Sequence, residues 1–516
     1  MWDTTASCQS NLSKQCFCLC CFAERAINEP ASTLLELPDQ CLVAVLRCCN
    51  NDQRCLLSAA NSHSRLHQAA VIALRSITAV KATQQQADGM LQYLEKHGQH
   101  LDSIRISGDR GCTTTLPLPG NLQLNALNSV QLDRVSLHPC LQLQPGHGLL
   151  GMLGPAAGVA ALTQLRLSDC KLRDTAAADA LASAFWQLPQ GMQHLSIKSG
   201  TVRFRIPAGV CQQLQQLTHL ELFCTDVVGP DGTSSKLQDL PSLERLVDLQ
   251  LHAVWQVDIT GAMLSGMRHL TRLELPFSKS VDLKVLDGRT QLRHFTLGLR
   301  VSGVQEAQVL SHLQHMQHLT YLDLSNCMWS QEDGNPPAAA FSALTASSKL
   351  VHLDIGYCTL PAGVWQHIFP AGRQLPHLQF LYITYMRLPA GDEGIPPTGS
   401  TLVSCCPSLQ VLDISGLQYS AELLATLHRL TELTGLSTLY LGNHDYYGEG
   451  LEVVSQLTGL RELFLHFPSS TQHRLLLQLT QLKQLTSLDF EGCGGSTCRT
   501  IHLTVQVRCP FYDAYD

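Results

Sequence analysis

The sequence predicts an α/β solenoid, and three observations carry that prediction. One phrase recurs: LTQLRLSDCKL from Leu162, LTHLELFCTDV from Leu217, LTYLDLSNCMW from Leu319, LVHLDIGYCTL from Leu350 and LTSLDFEGC from Leu485. Its spacing, L-x-x-L-x-L-x-x-N/C-x-L, places leucines at alternate positions, as a short strand buried on one face requires. The first leucine-type position returns at Leu127, Leu162, Met192, Leu217, Leu246, Leu270, Leu292, Leu319, Leu350, Leu378, Leu409, Leu436, Leu460 and Leu485, in steps of 22 to 35 residues. Finally, 516 residues exceed what one hydrophobic core organises, so several domains or a repeat array are required.

This phrase is the signature of a leucine-rich repeat, and the elements follow from it in order. Residues 1–33 show neither helical nor strand periodicity and read as a disordered, cysteine-containing N-terminus. Residues 34–76 read as a small helical unit. Leu42, Val45, Leu46 and Cys49 keep helical spacing behind Pro38, Asp52 caps a second helix from Gln53, and a third covers Ser64 to Leu74. Residues 77–100, with QQADGMLQYLEKHG, read as a linker helix. The array then occupies 101–495 in about 15 units, the first a degenerate one at LDSIRISG. Each unit contributes one parallel strand and returns through a short convex helix, as in AADALASAFWQL and LLATLHRLTEL, which predicts a horseshoe. Residues 496–516 match no repeat and read as a tail or cap.

Composition narrows the function classes. A net charge of −7 argues against nucleic acid or an anionic membrane surface as the main partner. No run of about 18 apolar residues exists to span a bilayer, and the stretch Cys16–Ala23 is closed by Glu24 and Arg25, so the chain reads as soluble and intracellular. Cys170, Cys224, Cys327, Cys358 and Cys493 sit at or beside the N/C position of the repeat, where a small side chain turns beneath the strand end. They need no disulfides, which fits a reducing compartment.

Chemistry-bearing fragments are sparse. GNHD at Gly442–Asp445 resembles one fragment of a metallophosphoesterase site, yet it follows Leu436, Leu439 and Leu441 in repeat register and lacks companion ligand segments. CFCLCC at Cys16–Cys21 lacks the paired spacing of a zinc site. His194, His219, His294 and His352 share one strand column, read as neutral imidazoles on a solvated face, with metal capture or pH sensing as the alternative. No cofactor site and no catalytic residue emerge.

Leu37, Pro38, Asp39, Gln40, Leu42, Val45 and Leu46, followed by Leu56, Leu57, Ala59, Ala60, Arg65 and Leu66, resemble the F-box over about 40 residues. Cys48 and Cys49 stand where that family usually has a bulky pair, and Asn61–Ser64 replaces a more basic stretch. An N-terminal F-box before leucine-rich repeats is a known family arrangement. The resemblance implies a substrate-recognition subunit of a Skp–cullin–F-box ubiquitin ligase, gripping a Skp-type adaptor, and through it cullin, with Leu37, Pro38, Leu42, Val45 and Leu46. It also implies a cytoplasmic or nuclear location and no catalytic group on this chain, rate enhancement coming from proximity. The alternative is an interaction scaffold, cytoskeletal or ciliary, whose N-terminal helices merely cap the solenoid.

Target recognition is sought between the repeat leucines, where side chains point away from the core. In the second half that column reads Asp323, Asp354, Tyr382, Asp413, Tyr440 and Phe464, and the column three residues on supplies Tyr357, Tyr385 and Phe467. Folding of the array needs neither the rings nor the carboxylates there. Tyr and Phe anchor protein interfaces, and carboxylates favour a basic partner.

Overall fold

Alternating leucines leave each strand with one apolar face, which no single repeat covers alone; stacking on the neighbouring units covers it. The computed structural model describes residues 39–47, 64–82, 94, 98–108, 126–134, 136–137, 161–172, 188–198, 210–223, 240–252, 258–278, 280–286, 288–299, 306–327, 336–361, 363–386, 399–416, 421–442, 448–466 and 479–491. The chain divides into two units, Met1–Leu246 and Val247–Asp516.

The first unit opens with two packed helices, α1 (Asp39–Arg47) and α2 (Ser64–Ala73). Six parallel strands follow in chain order: β1 (Ser76–Ala82), β2 (Ser103–Gly108), β3 (Ser129–Asp133), β4 (Gln164–Ser168), β5 (His194–Lys198) and β6 (His219–Phe223). Among the described residues the second unit carries, in its main sheet, β7 (Asp248–His252), β8 (Arg272–Ser278), β9 (His294–Leu299), β10 (Tyr321–Asp323), β11 (His352–Asp354), β12 (Phe380–Tyr382), β13 (Val411–Asp413), β14 (Thr438–Leu441), β15 (Glu462–His466) and β16 (Ser487–Glu491). This is a leucine-rich-repeat solenoid in both units.

Register keeps equivalent positions together. Leu322, Leu353, Leu381, Leu412, Leu439, Leu463 and Leu488 pair in a row, each at most 2% exposed. Burial of one such side chain is worth about 1.5–3 kcal/mol, so the row is the main source of cohesion between neighbours. The strands return through short helices, among them α3 (Glu306–Leu313), α4 (Gly399–Cys405), α5 (Ala421–Leu430) and α6 (Gly448–Val454), or through the 3₁₀ stretch Ala338–Thr345. The helix expected in LLATLHRLTEL is α5, with Leu423, Leu427 and Leu430 fully buried.

The turn closing each strand has a regular construction. Arg134, Asp169, Asn326, Tyr357, Tyr385 and Gly416 adopt positive φ, between 49° and 73°. Reversing the chain there aims the next residue inward. Where that residue is cysteine, its thiol faces a carbonyl of the preceding repeat: Cys170 to Leu132 at 3.7 Å, Cys327 to Leu297 at 3.2 Å and Cys358 to Leu324 at 3.1 Å. All three are buried thiols, as their repeat position implied. Cys224 and Cys493 lie outside the described residues.

The N-terminal boundary differs from expectation. Residues 76–82, expected to be the last residue of the helical unit and the start of the linker helix, form strand β1 and pair in parallel with β2 from Ser76↔Ser103 onward. SITAVKA alternates apolar and polar residues, and its Ile77 is 3% exposed. The array therefore begins one strand earlier, directly after α2, without the full repeat phrase to announce it. Much of the linker segment, the second helix of the 34–76 unit, and both termini lie outside the described residues.

Candidate protein-binding face

The outward strand residues of the second unit form rows because the strands pair in register. Asp323, Asp354, Tyr382, Asp413, Tyr440, Phe464 and Asp489 are successive partners from β10 to β16. All are partly exposed, and each follows a buried leucine. The strand pairing thus brings together the carboxylates and rings of the column read from sequence, Asp489 included. Phe467 lies outside the described residues.

Local hydrogen bonding explains why aspartate recurs here. Oδ1 of Asp323 accepts from the Ser325 N–H, that of Asp354 from the Gly356 N–H and that of Asp413 from the Ser415 N–H, each at 2.9 Å. An aspartate that captures the amide two residues on ends the strand and starts its turn. These carboxylates therefore have a structural task as well as an exposed position. Burial raises all three pKa values. For Asp323 and Asp413 the backbone and the hydroxyl of Ser325 or Ser415 counter this by hydrogen bonding. Two residues after Asp354 stands Gly356, which donates its amide but has no such hydroxyl. Burial, reinforced by the charges of Asp323 and Asp413, pushes its carboxyl up to about 7.

A second row runs along the preceding outward position. His294, Tyr321 and His352 stack at 3.8 and 4.0 Å, nearly parallel, and His352 also meets the rings of Phe380 and Tyr382. Rather than a solvated column, these imidazoles are half-buried members of an aromatic stack, and His194 with His219 form a similar pair at 4.2 Å in the first unit. Burial, with the charge of His294, depresses the His352 pKa to about 4, so this ring is neutral at pH 7. No group of three or more potential metal ligands exists among the described residues.

Upstream of the row, Glu274 is compensated within the fold. Burial opposes its ionisation, but His294 at 2.7 Å and Arg272 at 2.5 Å outweigh that and lower its pKa to about 2. Arg272 on the same strand β8 and His294 on β9 are the outward neighbours that supply these contacts.

At the end of the same strands, Tyr357 and Tyr385 stack at 5.1 Å. Tyr357 is 45% exposed, an unusual state for a large ring, and both tyrosines hold positive φ. A bulky residue in that backbone region costs of order 1–3 kcal/mol and persists where surroundings or function require it. The ring of Tyr385 lies over Gly416, where an added Cβ would come within 2.3 Å of it.

In the helical unit α1 packs against α2. Leu42 and Leu46, two of the expected adaptor contacts, are buried, at 0% and 6% exposure, as is Leu66 on α2. Leu37 and Pro38 lie outside the described residues, as does the side chain of Val45. An exposed ion pair, Arg65 to Asp39 at 2.5 Å, joins the two helices at the surface.

The family comparison matches this geometry. A leucine-rich-repeat model matches residues 315–327, which run from the end of α3 through β10 to Cys327. The chain carries leucine-rich repeats. No curated protein matches it. Among solved structures it is similar to an internalin from Listeria monocytogenes at 15% identity and a TM-score of 0.39, covering 79% of this chain and 94% of that one. It is similar also to the ectodomain of the plant receptor kinase GASSHO1/SCHENGEN3 from Arabidopsis thaliana, at 14% identity and a TM-score of 0.41, covering 76% of this chain and 48% of that one. A third is TLR13 in a complex with ssRNA13, at 14% identity and a TM-score of 0.37, covering 83% and 59%. The chain thus spans about half to nearly all of these structures. No described helix is long and apolar enough to cross a membrane.

Proposed function

We propose that this chain is a protein-binding scaffold that recognises a target through the outward strand face of its second unit and delivers it as the substrate-recognition subunit of a Skp–cullin–F-box ubiquitin ligase. The observation that carries the binding part is the in-register row of carboxylates and rings, whose rings the leucine core does not need and whose carboxylates stay partly exposed while closing their turns. Exposed aromatic residues supply large contact area at small entropic cost, as interface anchors do. The ligase part rests on the resemblance of residues 37–66 to the F-box, in the position that family uses before leucine-rich repeats. With Leu42 and Leu46 committed to the interior, adaptor contact falls to Leu37, Pro38 and Val45.

The same burial favours a second reading, in which α1 and α2 merely cap the solenoid and the protein is a scaffold without a ubiquitin-ligase role, for example in the cytoskeleton or a cilium. Co-purification with a Skp-type adaptor separates the two. The ligase reading expects one stable complex on gel filtration, lost when Leu37 and Pro38 are both replaced by Asp. Absence of a complex with a folded array, verified by circular dichroism, leaves the scaffold alone. A complex that survives the double replacement refutes the assigned contact.

A further inference from the structure

Resting on the reading of the strand face as a protein-binding surface, the chemistry of its partner follows from how charge and rings alternate. Asp354, Tyr382, Asp413 and Tyr440 are consecutive partners on β11 to β14. Adjacent strands are about 4.8 Å apart, so each carboxylate has an aromatic ring one strand-step away. Strands β10 to β16 contain no lysine or arginine. Anionic ligands such as nucleic acid meet no countercharge on this face.

We propose that this row binds an extended, arginine-bearing segment of a partner protein, its guanidinium groups pairing with Asp354 and Asp413 and lying against Tyr382 and Tyr440. Arginine fits better than lysine for two reasons. Its planar fork pairs with a carboxylate through two parallel hydrogen bonds, and its weakly hydrated face stacks on an aromatic ring. A lysine ammonium uses only the charge. An extended segment crossing the strands advances about 3.3 Å per residue, so side chains on one of its faces recur about every 6.6 Å. That interval lies between one strand-step and two, so each arginine falls within about one strand-step of both a carboxylate and a ring of the row. Burial and the neighbouring carboxylates hold Asp354 partly protonated near neutrality, and an incoming cation restores its charge. Exposed Tyr357, stacked on the partly buried Tyr385 past the ends of β11 and β12, provides a further aromatic shelf.

The test uses the full chain and fluorescently labelled 12-residue peptides of alternating serine with arginine, lysine or glutamate, plus a single-stranded oligonucleotide. The arginine peptide is expected to bind at least about tenfold more tightly than the lysine peptide, with no binding of the glutamate peptide or the oligonucleotide. Asp354→Asn with Asp413→Asn should weaken it by about tenfold or more, while Tyr382→Leu with Tyr440→Leu should abolish the preference over lysine. Glu432→Gln with Glu452→Gln, at exposed positions away from the strands, should change nothing. Equal binding of arginine and lysine peptides, equal loss in the control pair, or no effect of the aspartate pair would each overturn the proposal. Circular dichroism confirms folding of every variant. A natural partner whose capture depends on Tyr382 and Tyr440 but whose bound segment lacks arginine refutes the arginine assignment and leaves the protein-binding reading standing.

Discussion

Asp354 and His352, two positions apart on β11, titrate in opposite senses. The Asp354 carboxyl is raised from 3.8 to about 7, and the groups around it are Asp323, Asp413, Tyr321, Tyr382 and His352. A raised pKa means that the folded state holds its proton more tightly than the unfolded one. Its contribution to stability is present below about pH 4 and is lost as pH rises through about 7. His352, depressed to about 4, contributes stability that is present above pH 6.5 and lost as pH falls through about 4. Asp354→Asn should therefore gain stability relative to wild type, by roughly 1–3 kcal/mol after solvent screening, as pH rises from 4 to 7.5. Urea midpoints of both proteins across that range check it; a constant difference contradicts it.

Arg289 is a second residue whose surroundings decide its effect. It is 8% exposed, and its guanidinium donates to the carbonyls of Val285, Met267 and Leu264 at the ends of neighbouring return turns. Burial lowers its pKa, yet three carbonyl acceptors retain the charge. Arg289→Met fills similar volume but strips those carbonyls of their donor, and should cost about 2–4 kcal/mol in chemical denaturation. Tyr357→Gly should behave oppositely for so large a truncation. Relief of the positive φ offsets the lost ring contact, so the change should stay below about 1 kcal/mol, against about 3–5 for an aromatic side chain deleted from a core.

At the scale of the element, the strand is short and its identity lies in alternation. The pattern iBi at β10 to β13 puts one leucine inward between two outward residues, and the leucine spacing alone makes this legible. Turn chemistry was legible in part. Cysteine at the N/C position foretold an inward thiol, whereas the positive φ of Tyr357 and Tyr385 carried no signal, since bulky residues ordinarily avoid that region. The return helices were visible where apolar periodicity is strong, as in α5, and hidden where the return is one turn long. Strand β1 was missed because SITAVKA carries the alternation without the leucines. Leu42 and Leu46 had the spacing of an apolar helix face, but spacing cannot say whether that face meets another helix of the same chain or a separate protein.

Across the whole molecule, cohesion runs between nearest neighbours. Each strand pairs with the strands beside it, and each thiol or aspartate acts within its own or the adjacent repeat. A core deletion should therefore weaken a local stretch before the entire chain. Leu353→Ala is expected to cost about 2–5 kcal/mol, with amide exchange accelerated first in β10 to β12 and least in β16 and the first unit. Uniform acceleration along the chain would show global cooperativity instead.

Leucines at alternate positions of a phrase repeated over residues 101–495 were enough to indicate the solenoid, the strands from β2 onward and which face of each is buried, because burial of an alternating pattern has one local solution. Register lay beyond that pattern. Only pairing of the strands aligns Asp354, Tyr382, Asp413 and Tyr440 in one row, stacks Tyr321 between His294 and His352, and brings His294 to Glu274. Neighbours in these groups stand some 20 to 30 positions apart in the chain, and return segments of unequal length separate them. Their proximity, and the shifted pKa values that proximity and burial impose, arise from tertiary packing.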